Sequence, residues 1–375
     1  MKGQVHYEKQ GQSALLSIDN PPVNPLSSGV RQGLFDGVSQ ALEDDEVKAI
    51  VVTGLNRAFI AGADISEFGA AATQGASLND VLKQMESSPK PIIAAINGTA
   101  FGGGLEVALC CDYRIASNTA PVGLPEVKLG LLPGAGGTQR LPRLVGAAAA
   151  IQAIVSGDPI PAAKALDMGI VDRVVETDIV KSGLAFADEI IAQGCPTRKI
   201  RDLDDKILSD RGDTAVFDSA AASLDRTHRG QFAPLQILEC IRAAVNAADF
   251  DAGMAVEAEC FSECLKHPQR EALIHIFFAE RAANKIPGLS KDVSLIDVHK
   301  ASIIGAGTMG GGIAMCFANA GIAVLLHDND SEGLKRGLKV IAGNYARTVS
   351  KGRLSQQEMD KRMALIQPAE RLDEL

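Results

Sequence analysis

The sequence predicts an α/β protein in which a helical region separates two α/β regions. Three observations support this fold class. Short apolar strands alternate with helical patterns in the first half, strand signals stop between about 178 and 287, and a new strand–helix–strand pattern starts at His299. Alternating strands and helices are typical of α/β folds, whose strand-end loops usually carry the functional residues.

The first region has strands that are apolar along their whole length. A strand is predicted at 14–18, followed by a helix at 28–42, in which apolar residues recur every four positions. Further strands are predicted at 49–53 and 91–96. Continuous apolar runs of this length are typical of strands that are buried on both faces.

The middle region has only helical patterns. Amphipathic spacing predicts helices at 186–192, 235–247, 254–265 and 270–285. The Pro-Gly pair at 287–288 is a breaker and a plausible boundary. We therefore expect the second α/β region to begin after it.

Composition limits the classes of partner. The chain has 375 residues, 46% of them hydrophobic and 22% charged, and a net charge of −9. A nucleic-acid surface needs concentrated Lys and Arg, so we expect no nucleic-acid partner, although a small polyanionic ligand stays possible. The seven cysteines show neither a metal-site nor a disulfide spacing, so we expect reduced, buried thiols and no metal.

No apolar signal segment opens the chain, and no uncharged apolar run is long enough to span a bilayer. We therefore expect a cytoplasmic protein of bacterial type, without a membrane partner.

Glu106 and Glu126 are the most informative pair of residues. Both lie in stretches that are otherwise apolar or glycine-rich. A carboxylate in such surroundings is costly to desolvate, and desolvation raises its pKa toward the range useful for proton transfer at neutral pH. The alternative for each is a solvated surface glutamate, which is the usual fate of this residue type.

Two glycine-containing segments follow predicted strands and suit close approach of a ligand to the main chain. Residues 59–65 contain Gly62 between small residues, and Gly102, Gly103 and Gly104 open a predicted helix. Amides at a helix N-terminus can hold an oxyanion. Taken alone, the first segment could be a simple strand-to-helix turn and the second a site of tight helix packing.

Together these segments resemble the crotonase (enoyl-CoA hydratase/isomerase) family. The resemblance covers about residues 10–190. It rests on several motifs in the family's order, at 61–65, 96–106, 111–116, 124–126 and 132–142. The 20-residue separation of the two glutamates is also the spacing of the hydratase members.

The resemblance implies a fold and an activity. It implies a crotonase (ClpP-like) spiral core and hydration of trans-2-enoyl-CoA to L-3-hydroxyacyl-CoA, without a cofactor at that site. Glu106 would activate the attacking water, and Glu126 would give the proton to Cα. The amides of Ala63 and Gly103 would form the oxyanion hole for the thioester carbonyl.

Asp64 and Ile65 belong to the same substrate-binding segment. Many hydratases carry a Lys at the position of Ser66, where it contacts CoA, so in this chain Arg57 or another cation would have to replace it. The acyl-CoA thioester is the partner that the resemblance implies.

Other functions fit parts of this pattern. Family members that only shift a double bond can work with the later glutamate alone, so Δ3,Δ2-enoyl-CoA isomerisation is an alternative, as is thioester hydrolysis. A different class is an acyl-CoA or RNA-binding protein with a vestigial site, although the net charge of −9 disfavours RNA.

The second α/β region carries a dinucleotide-binding pattern. Gly305, Gly307 and Gly310 form a G-x-G-x-x-G between a predicted strand at 301–304 and a predicted helix at 308–320. Asp328 follows the next predicted strand, at 322–326, and suits the ribose hydroxyls of NAD. The alternative is a tight packing turn in another kind of α/β unit.

The order of the two regions resembles the multifunctional enzymes of fatty-acid β-oxidation, peroxisomal and bacterial, which join a hydratase to L-3-hydroxyacyl-CoA dehydrogenase. It implies that Met309 also lies at the NAD. We expect a crotonase domain over 1–190, a helical completion and linker over 191–298, and an incomplete Rossmann-type NAD domain over 299–375.

The resemblance also sets expectations about activity and assembly. Because the last histidine is His327, the His–Glu pair of the dehydrogenase is missing, and we expect this segment to hydrate but not to oxidise. The chain could be a monomer or a homo-oligomer, and a thiolase partner is the less favoured expectation.

Overall fold

The computed structural model describes residues 3–64, 75–176, 178–283, 286–288, 293–294 and 296–375. They divide into two compact units, Met1–Lys285 and Ile286–Leu375. The helices between 191 and 283 belong to the first unit. The three-part division with boundaries at 190 and 298 stays a prediction.

The first unit contains a large and a small sheet. Its strands, in chain order, are β1 (Gln4–Gln10), β2 (Ser13–Asp19), β3 (Ala49–Gly54), β4 (Ala58–Ile60), β5 (Ile92–Ile96), β6 (Thr99–Phe101), β7 (Tyr113–Ser117), β8 (Val122–Gly123) and β9 (Arg173–Val175). The large sheet has the order β1-β2-β3-β5-β7-β9, and only its β1–β2 pair is antiparallel. The strands predicted at 14–18, 49–53 and 91–96 are therefore confirmed as β2, β3 and β5.

The small sheet positions the site. It has the order β4-β6-β8, and all its strands are parallel. Each of these short strands follows a strand of the large sheet within a few residues, so the chain visits both sheets on each turn. Because the carboxyl ends of parallel strands meet at one edge, the segments after Ile60, Phe101 and Gly123 come together.

Helices surround both sheets. In chain order they are α1 (Ser28–Glu43), α2 (Leu78–Glu86), α3 (Gly103–Cys110), α4 (Gly137–Val145), α5 (Ala147–Ser156), α6 (Ala162–Asp167), α7 (Ile179–Ala192), α8 (Asp205–Asp210), α9 (Thr214–Thr227), α10 (Ala233–Asn246), α11 (Phe250–Lys266) and α12 (Pro268–Ala283). The helix predicted from residue 186 begins earlier, at Ile179, because the Asp178 side chain accepts the amides of Val180 and Lys181 and caps it.

The large sheet is buried on both faces, as its apolar strands predict. Along β3, Ile50 and Val52 pack into one core cluster, whereas Val51 packs into a second cluster on the opposite face. Phe186 of α7 covers that second face. Burying a side chain of this size stabilises the fold by about 1.5–3 kcal/mol. The side chains of β3 therefore stabilise the packing on both faces of the large sheet.

The second unit has a parallel sheet of order β10-β11-β12. Its elements are β10 (Lys300–Ile304), α13 (Thr308–Asn319), β11 (Ala323–His327), α14 (Ser331–Ser350), α15 (Gln356–Ala364) and β12 (Ile366–Ala369). The predicted strand–helix–strand pattern is confirmed, since parallel neighbours need a crossover and α13 provides it.

Within the described residues, no helix is both long and apolar enough to cross a membrane. The same residues contain no cluster of three or more His, Cys, Asp or Glu side chains that could hold a metal ion.

Candidate active site

The segments that follow β4, β6 and β8 line a cavity of about 630 Å³. Ala63 and Asp64 follow β4, Gly103 follows β6, and Glu126 follows β8. Glu106, one turn into α3, lines the same cavity. The fold thus brings together the residues that the motifs singled out, although these span more than sixty positions of the sequence.

Glu106 is buried and has defined partners. Its side chain is 2% exposed, and its Oε1 accepts the amides of Ala135 at 2.8 Å and Gly137 at 2.9 Å. Burial raises the pKa of Glu106, while the two amides and the Arg140 guanidinium oppose the rise. Among the described residues no group donates to Oε2, which leaves this oxygen for a ligand.

Glu126 has no comparable support. It lies in a 3₁₀ turn, Glu126–Leu129, and its buried Oε2 has no hydrogen-bond partner among the described residues. Burial and then the nearby charge of Glu106 raise the pKa of Glu126 well above its ordinary value. Only its own amide opposes this rise, whereas two amides and a guanidinium oppose the rise for Glu106, so Glu126 favours its protonated form more strongly than Glu106 does.

Ala63 and Gly103 line the cavity beside these carboxyl groups. Leu26 donates to the carbonyl of Gly62 at 2.9 Å and forms a parallel bridge with Ala63, so the Ala63 amide points away from Leu26. Gly103 is the first residue of α3, so its amide has no acceptor within the helix. Ile65 lies outside the described residues, as does Ser66.

Arg57, the suggested replacement for the missing lysine, is not among the described residues that line the cavity. Arg31, Lys128 and Arg281 line it instead. Arg31 donates to the carbonyls of Leu26 and Ala76, whereas Lys128 and Arg281 are exposed. The sequence motifs do not indicate Arg281 as a cation of this site, because it lies in α12, far along the chain from the motif segments.

Glu257 of α11 is a further buried carboxylate that the motifs did not indicate. Its Oε1 accepts the Gly136 amide at 2.6 Å, and its Oε2 accepts the Thr138 amide at 3.1 Å and the Thr138 hydroxyl. The sequence does contain a signal for the burial of Glu257, because this residue falls on the apolar face of α11. The buried positions of this helix are spaced three and four residues apart, at Phe250, Gly253, Glu257, Cys260 and Cys264.

The glycines of the second unit suit a dinucleotide. Gly305, with φ of +101°, follows β10, and a side chain there or at Gly307 would meet nothing within 4 Å. This open space allows a pyrophosphate to approach the main chain. A Cβ at Gly310 would lie 1.7 Å from the Gly305 carbonyl, so α13 packs on the loop only with glycine there.

Asp328 follows β11 and accepts the Ala306 amide at 2.8 Å and the Asp330 amide at 3.0 Å. These bonds lower the pKa of Asp328, so it is charged at neutral pH and can accept from a ribose hydroxyl. Met309 is 78% exposed, on the first turn of α13. The residues present therefore fit NAD.

Comparisons with known proteins match a family to each of the two units. Residues 8–205 match the family described as Enoyl-CoA hydratase/isomerase, and residues 300–375 match 3-hydroxyacyl-CoA dehydrogenase, NAD binding domain. A structure of an enoyl-CoA hydratase/isomerase from Pseudoalteromonas atlantica T6c is similar, with a TM-score of 0.54 and 25% identity over 76% of this chain and 100% of that one. The predicted fold class and the prediction of an NAD-binding domain are confirmed.

Curated relatives contain both families. The peroxisomal bifunctional enzyme of Cavia porcellus is 40% identical over 346 residues, which cover 91% of this chain and 47% of that protein. The glyoxysomal fatty acid beta-oxidation multifunctional protein MFP-a of Cucumis sativus is 35% identical over 364 residues, covering 94% and 50%. The chain spans about half the length of the curated relatives it matches.

The names of these relatives contradict the expectation of a cytoplasmic protein of bacterial type, which is therefore wrong. The expectation rested on the absence of an N-terminal apolar segment. Such a segment is the signal for secretion. A peroxisomal address is a short sequence read by a receptor, so hydropathy carries no information about it.

Proposed function

This chain belongs to the enoyl-CoA hydratase/isomerase family, and on that premise we propose that its first unit hydrates trans-2-enoyl-CoA to L-3-hydroxyacyl-CoA. The observation that carries the proposal is the unequal support of two carboxyl groups in one cavity. Glu106 accepts two amides, whereas Oε2 of Glu126 has no partner among the described residues. Hydration of a conjugated double bond needs one charged and one protonated group.

The reaction follows from this difference. Water attacks Cβ of the enoyl thioester and transfers a proton to Oε2 of Glu106. The electron pair of the double bond moves toward the thioester carbonyl, and Cα takes the proton of Glu126. The products are the 3-hydroxyacyl thioester, a protonated Glu106 and a charged Glu126, so one proton stays on the pair.

The thioester oxygen gains negative charge during this step. The amides of Ala63 and Gly103 would hold it, and Gly103 adds the partial positive charge of a helix N-terminus. One such donor is worth about 3 kcal/mol of transition-state stabilisation. Asp64, on the segment that follows β4, would then flank the bound thioester. The same role for Ile65, outside the described residues, stays a prediction.

The CoA phosphates need cations at the cavity. We assign this role to Lys128 and Arg281, both exposed, in place of Arg57. Arg281→Ala should raise KM for crotonyl-CoA while leaving KM for crotonyl-pantetheine, which lacks the nucleotide phosphates, unchanged. Arg242→Ala, an exposed arginine paired with Glu239, is the matched control. An unchanged KM for crotonyl-CoA in Arg281→Ala, or the same fold rise of KM for both substrates, would refute the assignment.

The second unit is proposed to bind NAD, which accepts a hydride when bound. Gly305, Gly307 and Gly310 would face the pyrophosphate, with Met309 beside it, and Asp328 would accept from the ribose. In a longer chain this unit would serve an NAD-dependent 3-hydroxyacyl-CoA dehydrogenase, as the names of the curated relatives suggest. A thiolase partner and the oligomeric state stay predictions.

Loss of crotonyl-CoA absorbance tests the proposal. The 375-residue chain should consume crotonyl-CoA, and Glu106→Gln and Glu126→Gln should each lower kcat by about 10²- to 10⁴-fold, because each removes a proton-transfer group. Glu259→Gln, an exposed glutamate on α11, should have wild-type activity. A wild-type chain that shifts the double bond of a 3-enoyl-CoA but does not consume crotonyl-CoA would refute hydration as the main reaction.

A further inference from the structure

Two carboxylates from distant parts of the chain hold alternate amides of one segment. Glu106 accepts the amides of Ala135 and Gly137 through one oxygen. Glu257 accepts the amides of Gly136 and Thr138, one on each oxygen. Four successive amides, at 135–138, are therefore divided between α3 and α11.

The same segment is also held from its carbonyl side. Arg140 donates to the Ala135 carbonyl at 2.8 Å and to Glu86 at 2.8 Å. The backbone at Gly136 has φ of +92°, and a Cβ there would lie 1.9 Å from the Arg140 guanidinium. In this arrangement the segment satisfies both carboxylates and the guanidinium at once.

We propose that Glu257 is a positioning residue for Glu106, acting through the 135–138 segment. This inference rests on the proposed function, in which Glu106 activates water. Oε1 of Glu106 is oriented only by the amides of Ala135 and Gly137, among the described residues, and those amides point at it only while Gly136 and Thr138 are held from the other side. Glu257 thus sets the direction of the other oxygen of Glu106, Oε2, which takes the proton of the attacking water in the proposed function.

Glu257 does not act on the substrate itself. Its side chain is fully buried, and it is absent from the described residues that line the cavity. Its three donors are the Gly136 amide, the Thr138 amide and the Thr138 hydroxyl, whose oxygen in turn accepts from Gln139 at 3.0 Å. An apolar residue in its place would leave two buried amides without acceptors, which is costly enough to move the segment.

The electrostatics agree with this geometry. Burial and the charge of Glu106 raise the pKa of Glu257 to about 8, against the donors from Thr138 and Gly136 and the nearby Arg140. Glu106 and Glu257 are therefore coupled electrostatically as well as through the amides of the 135–138 segment.

Glu257→Ala and Glu257→Gln in the 375-residue chain test the proposal, with Glu259→Gln as the control on the same helix. Sites are counted by titration with butyryl-CoA, so that kcat refers only to folded, binding-competent protein. Per site, Glu257→Ala should lower kcat for crotonyl-CoA hydration by about tenfold to a hundredfold, since misplacing a catalytic group has effects of this size. KM should stay within about twofold of wild type, because Glu257 does not touch the substrate. Glu257→Gln keeps one acceptor and should recover part of the loss.

Each outcome decides the question. Wild-type kcat per site in Glu257→Ala, or a rise of KM without a fall of kcat, overturns the proposal. If Glu257→Ala binds no butyryl-CoA, Glu257→Gln decides, since it leaves one of the two amides of Gly136 and Thr138 without an acceptor oxygen while keeping the side chain's size. A fall of kcat per site at constant KM then supports the proposal, and an unchanged kcat overturns it. An inactive wild-type chain would instead refute the proposed function.

Discussion

Gly102 provides the space that the Glu126 carboxylate occupies. A Cβ at Gly102 would lie 2.8 Å from Oε1 of Glu126, closer than real Cβ contacts allow. The backbone there, with φ of 54° and ψ of −128°, is also one that residues with a side chain avoid. The glycine run before α3 therefore serves the position of Glu126 as well as the start of the helix.

Gly102→Ala should displace Glu126 and lower kcat for hydration by about a hundredfold, the typical effect of misplacing a catalytic group by 1 Å. Gly194→Ala is the matched control. It also has positive φ, +88°, but a Cβ there would meet nothing within 4 Å, so it adds only backbone strain of about 1–2 kcal/mol. Steady-state kinetics per butyryl-CoA site compare the two, and equal kcat values would contradict the assigned role of Gly102.

The pH dependence of hydration should reflect the shared proton of the two glutamates. The active form has one proton on the pair, and burial raises the pKa of both Glu106 and Glu126. As pH rises, kcat/KM should first increase when the pair loses its first proton, above the usual pKa of a glutamate, and should fall at still higher pH when the pair loses its last proton.

Dehydration of 3-hydroxybutyryl-CoA should show the same alkaline limb, because both directions start from the singly protonated pair. Kinetics of both directions across pH test this, and Glu126→Gln should remove the limb from the residual activity. An alkaline limb that persists in Glu126→Gln would assign the titration to another group.

Glu86→Gln should destabilise the first unit. Glu86 pairs with Arg140 at 2.8 Å, and both side chains are at most 5% exposed. Removing one partner of a buried pair leaves an uncompensated charge and costs about 3–5 kcal/mol. Glu189→Gln breaks the exposed pair with Arg173, 2.9 Å apart, and should cost only about 0.2–1 kcal/mol. Equilibrium unfolding in urea measures both, and equal costs would contradict the argument from burial.

Asp328→Asn should weaken NADH binding by about tenfold or more, because a hydrogen bond to a charged acceptor is lost. NADPH binding should change less, since its ribose carries a phosphate at that position. Asp360→Asn, an exposed residue of α15, should bind NADH like the wild type. Fluorescence titration with both nucleotides measures the effect, and unchanged NADH affinity in Asp328→Asn would remove Asp328 from the site.

Continuous apolar runs in the sequence predicted the strands that are buried on both faces, because such a run is stable in a sheet only where both faces are covered. They did not predict β1, whose residues are mostly exposed. The sequence patterns also place α11 in a linker and so assign no role to Glu257, although it falls on the buried face of that helix.

The sequence by itself determined the fold class, the two families and the pair of glutamates, because these depend on local hydrophobicity and on motifs within short segments. Only the tertiary structure decided which glutamate has partners. The amides that Glu106 accepts lie 29 and 31 residues along the chain, and those of Glu257 lie 121 and 119 residues away. Hydrogen bonds between such distant residues depend on how the helices pack, which no local pattern encodes.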